Sequence, residues 1–527
     1  MKRSIRLAIV CLLASTLPVL VFSQAAAPTP AHHTCFHVTD STGAPLNGRL
    51  LLFLKSGSGA PAVDADEFSP SDTWVTATDV HNWQPGTTLD IDADQIAFPS
   101  GFSQLTPGTY QVQAVLDPDH SYPYSGRDPH DWVSSVLALT AYNPATSPTP
   151  TLILDHHPEV PEEQAQYLAK TKAAATPDVA RLEEFESPRL TAFWGHSTKV
   201  RAWVILPPGY DENSSTTYPT LYWTHGFGGN PDYDLLYGIL LHKRMVSGKF
   251  PPMICVMLDE AIPQGTHEFA DSVNNGPWGA ALTREFIPFL EHKYRMDART
   301  NGRFLNGHSS GGWATLQLQV NYPDVFGGTW STSPDPPDFH DFTGTNLYAS
   351  NSNLYFGTDG SLTPLVRNHD KIMSSARDLT LQEVVLGPYG GQMTSFDWVF
   401  SPKGPSGAPL PMFDRETGAV DPAVVAYWRE HYDLAHIVES HWAEKNALLT
   451  GRIHLYVGTA DTFYLDRSAH LFEAVLNRLG AEPHFTYIPD RTHFDLYKVG
   501  DDDRGLFDEI SAQMYAIARP GVDWKKK

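Results

Sequence analysis

Asn306-Gly307-His308-Ser309-Ser310-Gly311-Gly312 is the stretch whose reading decides the fold. It holds the pattern G-x-S-x-G as Gly307, Ser309 and Gly311. The short run Arg303-Phe304-Leu305 stands before it. Behind it, Trp313, Ala314, Leu316 and Val320 recur at helical spacing until Asn321-Tyr322-Pro323 stops the run. Strand, sharp turn and helix together form the setting that lifts a serine hydroxyl above a sheet edge. The turn is strained and brings backbone against backbone, so small residues must flank the serine. The first amides of the helix then point to where an oxyanion would form. Ser309 is thus the candidate nucleophile, and the amide of Ser310 a candidate oxyanion donor.

A serine hydroxyl attacks only when a base removes its proton, and that base needs a carboxylate to fix its tautomer. In this arrangement the chain order is serine, acid, histidine. After the apolar run Ile453-His454-Leu455-Tyr456-Val457 comes Gly458-Thr459-Ala460-Asp461, which puts Asp461 at a strand's carboxyl end. Asp466 and Asp490 are nearby alternatives. A further run, Phe485-Thr486-Tyr487-Ile488, leads into Pro489-Asp490-Arg491-Thr492-His493. Among 23 histidines, His493 stands out by lying in a loop beyond the last strand.

Short apolar runs without alternation recur through this half of the chain: Thr220 to Trp223, Met253 to Leu258, Phe304-Leu305 and Thr329-Trp330. Strands of that kind are buried on both faces, so the expectation is a doubly wound, mostly parallel α/β sheet. Leu190 to Trp194 and Lys199 to Leu206 look like an antiparallel pair beginning it. Directly after the first parallel strand stands Thr224-His225-Gly226-Phe227-Gly228-Gly229. Such a glycine-rich strand exit can fold against the serine turn and offer the amide of Phe227 as second oxyanion donor.

This region resembles the putative esterase family of α/β-hydrolases, which includes esterase D, feruloyl esterases, enterochelin esterases and bacterial mycolyltransferases. The matching stretches are Val204 to Tyr210, Tyr218 to Leu221 running into His225-Gly226, Arg284 to Phe289 before Tyr294-Arg295, the serine turn, Gly458 to Asp461, and Thr492-His493. The resemblance implies Ser309 as nucleophile, Asp461 as acid and His493 as base, with an acyl-serine intermediate and no metal or cofactor. It also implies that the loop Glu268 to Gly279 lines the cleft, with Asn274 and Trp278 as candidate substrate contacts. Two features depart from compact members: an extra N-terminal region, and an insertion over residues 334–446, rich in Pro, Gly and aromatics, expected to overhang the site as a lid or wall.

The N-terminal region, residues 30–157, shows short alternating runs separated by Gly, Pro, Asp and Ser clusters, the pattern of a small β-sandwich. Residues 158–189 read as a charged, alanine-rich linker, and 190–520 as the hydrolase domain. Residues 1–23, with Lys2, Arg3 and Arg6 before an apolar stretch, have the character of a secretory signal peptide, implying a secreted or periplasmic protein with no integral membrane segment once cleaved. Cleavage would remove those three positive charges and take the net charge from −23 to −26. So acidic a chain repels nucleic acid and anionic surfaces. Mature Cys35 and Cys255 fall in different domains, which suggests neither a disulfide framework nor a cysteine metal site. The sequence therefore points to a secreted serine ester hydrolase acting on a small or polysaccharide-linked ester. An acyltransferase or a non-catalytic binding protein on the same scaffold is the alternative.

Overall fold

A computed structural model describes residues 33–526; the signal-peptide reading falls outside the described residues. No helix among them is long and apolar enough to cross a membrane.

The N-terminal region is all-β. Nine strands between Cys35 and His156 form one sheet, antiparallel except where Cys35–Asp40 meets Thr151–His156. The sheet divides at Gly108–Asp117, which pairs with Leu46–Ser56 and also with both Trp132–Ser134 and Leu137–Tyr142. Alternate side chains serve two cores. Leu50, Leu52, Leu54, Val112 and Ala114 fill the interior of the β region. Leu51, Phe53, Val75 and Val115 face outward, yet are buried against Val385 and Leu386. Those two end the helix Ala376–Leu386 of the insertion. Arg49 seals this seam: its buried guanidinium donates from Nε (3.0 Å) and Nη2 (2.8 Å) to Val385 O, and pairs with Asp79 at 2.9 Å. A cation on the last carbonyls of a helix meets the negative end of its dipole.

The expected linker holds a helix, Glu162–Ala174, and then the first strand of the second sheet, Ala180–Glu186. That strand, rather than residues 190–194, is the antiparallel partner of Lys199–Ile205, with Ala180 opposite Ile205 and Glu186 opposite Lys199. Residues Pro188–Trp194 are helical because Ser187 accepts from the Leu190 amide, Pro188 opens the helix and Gly195 closes it at φ 74°. Cap, N1 proline and C-terminal glycine outweigh the strand propensity of Phe193 and Trp194.

The second sheet has eight strands in the order Ala180–Glu186, Lys199–Ile205, Ile254–Leu258, Thr220–Thr224, Arg303–His308, Gly328–Thr332, Ile453–Gly458 and His484–Ile488. The two pairings of Lys199–Ile205 are antiparallel and every other pairing is parallel. This is the α/β-hydrolase sheet. Successive residues of its central strands feed opposite cores: Leu221 and Trp223 pack under the helices Pro231–Val246 and Gly505–Ala518, and Tyr222 packs on the other side with Leu282, Phe286 and Leu290.

The insertion carries the helices Ala376–Leu386, Gln392–Phe400, Pro422–His431 and most of Leu434–Leu449. Phe339, Phe342, Phe400 and Trp428 are buried in one cluster with Trp313, from the helix that follows Ser309. It is thus built onto the serine-bearing helix itself.

Candidate active site

Arg303–His308 ends at Ser309, and the helix Ser310–Asn321 begins at the next residue. Ser309 has φ 60° and ψ −125°, a conformation that costs a non-glycine residue on the order of 1–3 kcal/mol and must be held by its surroundings. The turn is that tight because backbone meets backbone. A Cβ on Gly307 would stand 2.2 Å from Gly311 O, and one on Gly311 would stand 2.1 Å from His225 O. Ser309 N donates to Thr332 O at 3.1 Å, tying the turn to the neighbouring strand.

Asp461, fully buried, places Oδ2 3.0 Å from Nδ1 of His493, which is 4 % exposed. Its other oxygen accepts from the amides of Phe463 (3.0 Å) and Leu465 (3.3 Å). Burial alone would push this carboxyl up, but the charge of His493 and these hydrogen bonds outweigh it and hold it below the ordinary value. The aspartate therefore stays ionised against Nδ1 and leaves Nε2 as the free ring nitrogen. Phe463 meets the imidazole edge-on at 4.9 Å and His308 lies 4.4 Å from it, so the ring is packed as well as hydrogen-bonded. The two alternative acids are otherwise engaged: Asp466 pairs with Arg367 at 3.0 Å, and Asp490 is exposed beside His369.

Ser309 and His493 line one cavity of about 650 Å³, and Phe227 lines it too. The loop of residues 225–229 lies against the serine turn: a Cβ on Gly226 would stand 2.8 Å from Ser309 Cβ. Beneath the loop sits a buried charge cluster that sequence reasoning missed. His225, Asp234 and Asp259 bring possible ligand atoms within 4.8 Å of one another. Burial pushes the Asp234 carboxyl well above its ordinary value and that of Glu260 up to about 8. The His225 imidazole is held by main chain, its Nε2 accepting from Glu260 N at 3.1 Å and its Nδ1 lying 2.7 Å from Gly226 O, while Arg201 pairs with Asp259. Ser310 contributes a second polar link, its Oγ donating to Asp335 Oδ2 at 2.6 Å.

Asn274 and Trp278 do not line the cavity. Asn274 Nδ2 donates to Ser401 O at 2.8 Å; Trp278 donates to Asn275 O and stacks on His267 at 3.7 Å. Both are buried: Asn274 ties the loop to the insertion, and Trp278 packs into the core beneath the sheet with Leu282 and Phe286. Conversely, Tyr122 and Tyr124 of the β region and Met393 and Phe396 of the insertion do line it. No signal in the sequence marks them, because only the docking of three segments brings them together.

A family model described as "Putative esterase" matches residues 195–482, over half of the chain. The chain belongs to that family. Curated relatives include Esterase Rv1288 of Mycobacterium tuberculosis (strain ATCC 25618 / H37Rv), 32% identical over 136 residues, which are 25% of this chain and 28% of that protein. An endo-1,4-beta-xylanase/feruloyl esterase of Xylanibacter ruminicola is 28% identical over 143 residues, 26% of this chain and 20% of the relative. The chain thus spans under a third of the length of the curated relatives it matches. Among solved structures, a ferulic acid esterase is similar with a TM-score of 0.38 and 16% identity, over 64% of this chain and 97% of that one.

Proposed function

We propose that this member of the family is a serine carboxylic-ester hydrolase with Ser309, His493 and Asp461 as its triad. One observation carries the reading: a buried, ionised Asp461 holds Nδ1 of His493, in the same cavity where Ser309 projects from a strained strand-to-helix turn. His493 Nε2 takes the proton of Ser309 as Oγ attacks the ester carbonyl. The amides of Phe227 and Ser310 receive the oxyanion. Collapse of the tetrahedral species expels the alcohol, which His493 protonates, and leaves an acyl-serine. Water, deprotonated by the same imidazole, then releases the acid and restores Ser309. No step requires a metal.

The signal-like N-terminus and the strongly acidic composition support an extracytoplasmic ester, such as an acyl group on a polysaccharide. The aromatic lining from Trp223, Tyr237, Phe396 and Phe463 suits an aromatic or medium-length acyl group. Hydrolysis of p-nitrophenyl acetate and methyl ferulate by the wild-type protein and by Ser309→Ala tests this. We expect the variant to lose roughly 10⁴-fold or more in kcat while keeping its fold. Equal rates in both proteins would overturn the assignment. A product that appears only when an acceptor alcohol is added would show acyl transfer instead.

A further inference from the structure

The loop of Phe227 is closed by Gly229 N donating to Gly226 O at 3.1 Å, but Gly226, Gly228 and Gly229 flank Phe227 and glycine confines the backbone least. An oxyanion donor nevertheless accelerates a reaction only if it is aimed before the charge develops. The β region supplies an external hold. Its short helix Tyr122–Ser125 lies against the loop, and Tyr124 donates its hydroxyl to Gly229 O at 2.8 Å. The Tyr124 ring meets Phe227 edge-on at 4.9 Å. Its backbone oxygen would lie 3.4 Å from a Cβ on Gly228, which sits at φ 79°. Three consecutive residues of the loop therefore touch one tyrosine.

That tyrosine is itself firmly seated. Asp117, fully buried at the end of a central strand, accepts from the amides of Ser121 (3.1 Å) and Tyr122 (2.9 Å). The neighbouring Pro123 packs where a Cβ on Gly387 would come within 2.6 Å, so the insertion closes the other side. A chain of hydrogen bonds runs from the β sheet through Asp117 to the helix Tyr122–Ser125, and from Tyr124 to the loop that bears the Phe227 amide.

Resting on the serine-esterase reading, we infer that Tyr124 is a positioning residue that presets the oxyanion loop, which makes the N-terminal β region a working part of the hydrolase site rather than a separate module. The full-length protein with Tyr124→Phe or Tyr124→Leu tests this, beside Ser309→Ala, using p-nitrophenyl acetate as substrate and a phenylboronic acid as the analogue whose oxygen occupies the oxyanion site. Tyr124→Phe keeps the ring and removes one hydrogen bond. Its kcat should fall about five- to tenfold, with KM within twofold and the thermal midpoint nearly unchanged. Tyr124→Leu should fall further, and boronate affinity should weaken in parallel with kcat/KM across the series. A kcat for Tyr124→Phe within twofold of wild type, with Ser309→Ala inactive, would overturn the inference and leave the esterase reading standing. So would a change confined to KM, which would mark Tyr124 as cavity lining only. If Tyr124→Leu fails to fold, Tyr124→Phe decides alone. Activity surviving in Ser309→Ala would overturn the underlying reading, and the inference with it.

Discussion

Asp461 and Asp466 lie five residues apart, follow the same strand and are both carboxylates, yet their environments assign them different work. Asp461 has no exposed surface and its partners are two amides and the His493 ring. Asp466 is bound to Arg367, whose Nε also donates to Asp461 O at 2.8 Å and braces that turn. Asp461→Asn keeps the shape but offers Nδ1 an amide in place of a charge, so the imidazolium formed on proton transfer goes uncompensated. We expect kcat on p-nitrophenyl acetate to drop on the order of 10³- to 10⁴-fold, whereas Asp466→Asn should stay within about fivefold of wild type. Comparable losses in both variants would mean that the acid has been assigned to the wrong side chain.

The serine turn works as a unit because three backbones converge on it. Gly311 is the tightest point: an added methyl would meet His225 O at 2.1 Å and Thr224 O at 2.6 Å. Both obstacles are main chain, and both belong to the strand exit that leads into the loop of Phe227, the proposed oxyanion donor. Gly311→Ala must therefore push the loop and the turn apart. Overpacking of this kind costs about 1–3 kcal/mol, visible as a lower thermal midpoint, and it should also abolish ester hydrolysis by displacing the Phe227 amide. A variant that melted lower but hydrolysed normally would separate the loop from catalysis. The same geometry explains why the G-x-S-x-G pattern was legible in the sequence: the glycines are demanded by local backbone contacts, so they stand at fixed offsets from the serine. The loop carrying Asn274 and Trp278 obeys no such local rule. Its side chains were free to turn inward toward Ser401 and His267, and nothing in their spacing distinguishes that from a cleft-facing loop.

Across the whole molecule, folding buries a large set of titratable groups, and their shifts combine into a pH dependence. Burial pushes Glu260 up to about 8, Glu383 to about 7 and Asp131 to about 8, against ordinary values of 4.5 for Glu and 3.8 for Asp. Above the ordinary values and below the raised ones, the folded protein holds protons that the unfolded chain has lost, so stability falls as pH rises through that window. The buried His267, His308 and His454, lowered to about 3, weaken the fold only below 6.5, where the unfolded chain takes up protons that they refuse. Between pH 6.5 and 8 the raised carboxyls of Glu260, Asp131 and, up to about 7, Glu383 make stability fall as pH rises, outweighing the fading contribution of these histidines. The thermal midpoint should fall over that range in scanning calorimetry, and Glu383→Gln should flatten part of the slope. A midpoint that rose from pH 6.5 to 8 would contradict these protonation states.

The amino-acid sequence by itself marked most of the sheet and the strained serine turn, and it singled out Asp461, His493 and the loop of Phe227 as candidates that the fold brings near Ser309. Each depends on chemistry written within a few residues: glycines at a close approach, apolar runs for strands buried on both faces, a carboxylate at a strand's end. Even the helix Pro188–Trp194 was written locally, in Ser187, Pro188 and Gly195, although its aromatics resembled a strand. Only the tertiary structure decided what the β region and the insertion do. Arg49 reaches a carbonyl 336 residues away, and Tyr124 reaches one 105 residues away. Contacts that distant follow from which apolar faces are left to cover one another once the elements have formed. The outward face of Leu51, Phe53 and Val75 finds its cover in Val385 and Leu386, and the same β region carries Tyr124 to Gly229 in the loop of Phe227. No periodicity records such a pairing, because either partner alone is an ordinary apolar surface.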